Sequence, residues 1–192
     1  MPLSKEHKAR TRERILKEAG ALFRRDGIDA VSVPTLMKQA GLTHGGFYAH
    51  FASKDALVAE VLERAQSATS EYLKGVARHA KDPVAAVIDT YVSALHRDRP
   101  EDGCAVAALG SEAARGEPLT KRQIAQELRK AVERLAETTE LGPDRQDDAL
   151  ALFAGMVGAV VLARASAGEA EFSDHVLEVC RERLKKMVGR QA

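Results

Sequence analysis

A chain of 192 residues that is 45% hydrophobic and 30% charged is long enough for a small domain beside a larger one, and its composition excludes a disordered protein. The charged N-terminus shows no signal peptide and no apolar run reaches the roughly 18 residues of a membrane span, so the expected location is the cytoplasm, with no membrane partner. Cys104 and Cys180 have no metal-ligand spacing and make no disulfide framework, and a net charge of +1 gives little support for nucleic-acid binding until its distribution is considered.

From about residue 4 to Asp26, the apolar residues Ile15, Ala19, Leu22 and Phe23 recur at helical spacing, and Gly27 is a natural end cap. Residues 1 to 26 hold eight Lys or Arg against four acids, a local +4. Alone, such a run is a solvated helix face; beside the motif that follows, it reads as an arm near phosphates.

The stretch Ser32 to Lys54 reads as a helix-turn-helix. Two short helices are joined by Ala40-Gly41-Leu42-Thr43, where Gly41 can take the left-handed conformation that closes the first helix and Thr43 can cap the second. Leu36, Met37 and Ala40 give the first helix an apolar face, and Phe47 and Phe51 do so for the second. That leaves His44, Gly45, Tyr48 and His50 for the exposed face. Each Gly costs roughly 1 kcal/mol relative to Ala inside a helix, so Gly45-Gly46 implies close approach of another surface, such as a groove wall. The alternative is that the Gly pair belongs to a loop and Phe47 to Phe51 is a core segment.

Ser53 can cap a long helix from Lys54 through Leu57, Val61, Ala65, Ala68, Tyr72 and Val76 to about His79. Asp82-Pro83 starts another, with Val84, Val87, Ile88, Tyr91, Val92 and Leu95 as one stripe, broken by Arg99 to Gly103. Cys104 to Ala114 reads as a short buried helix, and Gly116 to Pro118 separates it from a helix carrying Ile124, Leu128, Ala131, Val132 and Leu135 that ends at Gly142-Pro143. The fifteen residues Ala149 to Ala163 hold no polar side chain and are too short to span a membrane. Ala151, Gly155, Ala159 and Ala163 form a small-residue ridge there, with Ala154 and Gly158 beside it. The last helix, about 173 to 188, has Val176, Leu177, Cys180, Leu184 and Val188 as its stripe. This much apolar surface predicts a homodimer joined through residues 144 to 188 as a four-helix bundle; a completed monomeric core is the alternative.

Within Gly27 through Leu57, the residues Ser32, Leu36, Ala40-Gly41, Phe47-Tyr48, His50-Phe51 and Lys54 at their spacings resemble the DNA-binding region of TetR-type transcriptional regulators. The Gly-Leu-Thr turn followed by Tyr-x-His-Phe-x-x-Lys is more specific than a generic helix-turn-helix. The resemblance implies backbone contacts to DNA from Thr43, Tyr48, His50 and Lys54, and from Thr35 in the preceding helix. His44 lies nearer the groove floor, within reach of a base edge, and Gly45 lets the backbone approach. Met37 stands where the family has a small residue, which predicts looser or shifted packing of the two helices.

The expected fold is all-α with about nine helices: residues 1 to 53 a three-helix DNA-binding head, and 54 to 192 a larger helical body for ligand binding and dimerisation. The function implied is a repressor that binds a near-palindromic double-stranded operator as a dimer and is released by a small molecule, without a cofactor or metal. Its pocket is expected to be mostly aliphatic, since the chain has no Trp, three Tyr and five Phe. His96, Glu112 and Arg164 are candidate polar groups for it, each as readily a surface or capping residue. Two alternatives stand: a thiol sensor acting through Cys104, at a helix N-terminus whose partial charge raises thiol reactivity although Glu101 and Asp102 oppose it; and an all-helical enzyme, for which the chain shows no paired nucleophile and base, no phosphate loop, and no ligand spacing among His7, His44, His50, His79, His96 and His175. A purely architectural helical dimer is a third.

Overall fold

The computed structural model describes residues 5–115 and 118–189. Among them are nine α-helices and no strand, so the fold is all-α. The helices are α1 (Lys5–Asp26), α2 (Val33–Gln39), α3 (Lys54–Arg78), α4 (Pro83–Tyr91), α5 (Ala94–Asp98), α6 (Ala105–Ala113), α7 (Pro118–Thr138), α8 (Gln146–Ala165) and α9 (Ala170–Val188), with 3-10 turns at His44–Ala49, Pro100–Asp102 and Pro143–Arg145. The expected start of α1 at Ser4 and the spacer at Gly116 lie outside the described residues.

Two cores share one long helix. Ile15, Leu16, Ala19, Leu22 and Phe23 of α1 pack with Leu36, Met37, Phe47 and Phe51, and α3 contributes Leu57, Val58, Val61 and Leu62 to the same cluster. Farther along α3, Leu73 and Ala77 enter the second core with residues of α4, α7, α8 and α9. α6 belongs to both: Ala105 and Leu109 face the head, Ala107 the body. Head and body therefore meet along α3 and α6.

Three expectations change. The stripe from Val84 to Leu95 is not one helix. α4 ends at Tyr91, Ser93 turns extended, and its Oγ accepts the amide of His96 at 3.2 Å to start α5. A capping serine competes here with helix continuation, and Leu95 is left 62% exposed. Likewise α7 stops before Gly142-Pro143, because Glu140 takes a left-handed φ of 54° and the Leu141 amide closes onto the Ala136 carbonyl at 3.0 Å. A non-glycine residue in that region costs about 1 kcal/mol; burial of Leu141 beside the helix end offsets it.

The third concerns the small-residue ridge. Ala159 and Ala163 are fully buried within the chain, and a Cβ on Gly155 would lie 2.5 Å from Leu184 Cδ2 of α9, so most of the ridge serves to bring α9 close. The neighbouring line faces outward: a Cβ on Gly158 would meet only open space, and Leu150, Val161 and Leu162 of α8 are exposed alongside Phe172, Val179 and Met187 of α9. With 20 residues, α8 is by length and composition alone sufficient to cross a membrane, more than the fifteen-residue apolar run implied; seven of those residues are buried in this body.

Candidate nucleic-acid interface and effector cavity

α2 begins at Ser32, whose Oγ accepts from the Thr35 amide and lies 2.8 Å from the Thr35 hydroxyl. It ends in a Schellman closure: Gly41, at φ +65°, donates to the Lys38 carbonyl, and Leu42 to that of Met37. The expected cap by Thr43 is absent. The second helix is a 3-10 turn, in which the Gly46 amide bonds the carbonyl of Thr43, so its hydroxyl makes no capping bond. Phe47, fully buried, anchors this turn, and the Tyr48 ring stands edge-on to it with 65% of its surface exposed.

Thr35, Thr43, His44, Gly45 and Tyr48 are all exposed on this end of the head. A Cβ on Gly45 would touch nothing within 4 Å, so no contact inside the protein requires glycine there. Gly46 would place its Cβ 3.7 Å from Met37 Cε, and Met37 itself is buried. The bulky residue at that position is thus packed into the core, and a Cβ at Gly46 would only reach ordinary contact with it.

The remaining two candidates are held differently. Lys54 Nζ donates to the Ile28 carbonyl at 2.5 Å, tying the start of α3 to the α1–α2 turn. His50 is half-buried with no hydrogen-bond partner for Nδ1 among the described residues, and burial, followed by the charges of Lys8 and Arg12, holds its pKa below the ordinary 6.5. It is a neutral imidazole beside a basic strip. Part of the N-terminal charge is answered inside the protein: Arg12 pairs with Glu60 at 2.5 Å and stacks 4.6 Å from the centre of the Phe51 ring, and Arg64 pairs with Glu13. Lys5, Lys8 and Arg14 stay exposed.

Between head and body lies a cavity of about 870 Å³, walled by Leu16, Lys17, Gly20 and Arg24 of α1, by Val61, Ala65 and Ala68 of α3, and by Tyr91, His96 and Cys104. Its floor is the 92–104 loop, folded around His96. The Cys104 amide donates to His96 Nε2 at 2.9 Å, which makes Nε2 the acceptor and leaves Nδ1–H to donate to the Tyr91 carbonyl at 2.7 Å. Gly103 lies flat on this ring, where a Cβ would come within 2.5 Å of His96 Cδ2. Burial, and after it the charge of Arg164, keeps the His96 pKa low.

Of the other polar residues weighed from sequence, Arg164 donates to the carbonyls of His96 and Arg97 and braces the loop from behind. Glu112 is not in the cavity; its carboxylate accepts the amides of Ile28 at 2.7 Å and Asp29 at 3.3 Å, bonding α6 to the head. Sequence reading missed Arg24 and Tyr91, which looked like arm and core residues. Their only signal was a polar tip on an otherwise apolar helix face.

Residues 15–61 match the bacterial regulatory proteins, tetR family. The chain is 30% identical over 100 residues to the HTH-type transcriptional regulator AcrR of Shigella flexneri, a match covering 52% of this chain and 46% of AcrR. It therefore spans just under half the length of that relative. Reduced NemR of E. coli shares the fold with a TM-score of 0.78 at 22% identity over 95% of this chain and 99% of NemR. FadR of Bacillus subtilis in complex with stearoyl-CoA gives 0.66 at 18% identity over 88% of this chain and 96% of that one. The helix-turn-helix of residues 15–61 is therefore that of the bacterial regulatory proteins, tetR family.

Proposed function

We propose that this transcriptional regulator is a repressor that grips a near-palindromic operator as a homodimer and lets go when a small molecule fills the cavity. Residues 1–53 act as the DNA-binding part and 54–192 as the effector and dimer part. The observation that carries this reading is the cavity whose walls come from both head and body: its occupant touches the helix that supports the recognition turn. A volume of about 870 Å³ lies in the range of small-molecule sites, and FadR, of similar fold, is in complex with stearoyl-CoA, a ligand with a long apolar acyl chain.

On DNA, Tyr48, Thr43 and Thr35 offer hydroxyls to phosphate, His44 reaches toward base edges, and Gly45 allows the backbone to approach. His50, neutral and backed by Lys8 and Arg12, contributes a ring nitrogen at the edge of the same surface. Lys54 keeps two ammonium donors beyond the one held by Ile28. The second copy docks on the outward line of α8 and α9 and sets two recognition turns in successive major grooves.

The test is selection of a binding site from random duplexes, followed by footprinting and sedimentation. Two protected half-sites about one helical turn apart on a dimer support the reading. Binding without sequence preference, or as a monomer, removes it.

A further inference from the structure

The cavity wall holds two donors that the fold answers incompletely. Tyr91 is only 3% exposed and is one of the residues lining the cavity, and its buried Oη, beside the Cys104 sulfur, has no hydrogen-bond partner among the described residues. Burial, and after it the neighbouring Cys104 sulfur, pushes its pKa well up, so it stands there as a neutral phenol with a proton to donate. The second donor is Arg24 of α1. Its Nε and Nη2 both converge on one acceptor, the Glu101 carbonyl, while Nη1 lies over Gly20 at the cavity wall. Among the described residues no carboxylate is hydrogen-bonded to it; burial works against its charge, and Asp102 and Glu101 offset that only in part.

Both residues line the cavity. Its apolar lining includes Leu16, Val61, Ala65 and Ala68. The charged residues around it are Lys17, Arg24, Arg64 and Arg99 against Glu13 and Asp102, and Glu13 is already paired with Arg64. The balance favours an anion.

Resting on the reading that an occupant of this cavity releases DNA, we propose that the effector is an amphipathic organic acid, whose carboxylate is received by Arg24 and Tyr91 and whose apolar body lies along α1 and α3. A carboxylate is a stronger acceptor for guanidinium than a peptide carbonyl. Its arrival draws Arg24 away from Glu101, and α1 loses its bond to the Pro100–Asp102 turn. Recognition of the anion and loosening of the head are then one event at one side chain.

The experiment uses three probes with the same chain, decanoate, decanol and decylammonium, titrated calorimetrically below their aggregation limits. The parent is expected to bind decanoate about tenfold or more tighter than decanol, with decylammonium weakest. Arg24→Gln should bring decanoate down to the level of decanol and leave decanol unchanged. Tyr91→Phe should weaken both by about fivefold and keep the preference. Equal affinity for decanoate and decanol in the parent, or an intact preference in Arg24→Gln, overturns the proposal. Circular dichroism checks the fold, and if Arg24→Gln does not fold, the headgroup ranking of the parent and Tyr91→Phe decides. A mobility shift on selected DNA separates the two layers. Release by decylammonium but not decanoate sinks the acid and keeps effector control; tight, selective decanoate binding that leaves the DNA complex intact keeps the acid and sinks effector control.

Discussion

Tyr48 stands out from the head on the edges of Phe47 and His44, 65% exposed. Tyr48→Phe is expected to weaken binding to every DNA sequence about three- to tenfold and to leave the salt dependence alone, since no charge is removed; a mobility shift at several salt concentrations reads both. Lys54→Ala differs, because Lys54 also holds the Ile28 carbonyl. It should lower DNA affinity, reduce the salt slope by about one, and lower the melting temperature as well. Full affinity at moderate salt in that variant would take Lys54 out of the interface. His96 gives a pH signature. Its folded pKa is below the ordinary 6.5, so as pH falls the unfolded chain takes up its proton first. The stability that neutral His96 supplies is complete above about pH 6.5 and is lost as pH drops through that value toward the lower folded pKa. Melting temperatures should be level above neutrality and fall below about pH 6.5, less steeply in His96→Asn; His50, also lowered, contributes with the same sign. Cys104 is fully buried with its thiol 3.7 Å from Gln66 Oε1, a small core residue at a loop end. Cys104→Ser is expected to keep operator binding and effector response, and loss of response with DNA affinity unchanged would make this a thiol sensor.

Between elements, the bond that matters most joins α6 to the α1–α2 turn. Gly27 sits at φ +91°, and a Cβ there would come 2.7 Å from Glu112 Oε1, so glycine is required both by the backbone and by the carboxylate that caps the next two amides. Glu112→Ala leaves those amides to water and should cost about 1–3 kcal/mol, read as a lower melting temperature together with weaker DNA binding; Glu112→Gln should recover part of both. A variant that melts earlier but binds DNA as before would reduce Glu112 to a purely structural tie. This level was half legible in the chain. Gly27 as a helix stop, Gly41 as a turn and Asp82 as a cap follow from local chemistry, and local chemistry is present in the sequence. That Glu112 closes the turn at Ile28, or that Cys104 and Tyr91 clasp His96, depends on segments brought together only by the folded chain. The stop at Tyr91 was hidden for a related reason: apolar periodicity continues to Leu95, while the capping serine that overrides it looks ordinary.

For the whole molecule, α8 presents two lines of small residues, and the choice between them separates packing within the chain from the proposed packing between copies. Gly158→Leu, pointing into open space, should convert the protein to a folded monomer that has lost operator binding, as sedimentation and a mobility shift would show. Gly155→Leu, driven against Leu184, should lower the melting temperature first. If the Gly158 variant stays dimeric at low micromolar concentration, the second copy docks elsewhere. Sequence periodicity identified the helix but could not rank its faces, because both lines are equally small. α1, finally, is at once the brace of the recognition turn and one wall of the cavity. Under the proposed function, operator and effector would compete for a single geometry without ever touching: the tilt that fits two grooves would also set the width of the cavity. Whatever factor the effector takes from DNA affinity, bound DNA must take from effector affinity, so the sensitivity of the switch in a cell depends on how firmly its operator holds α1.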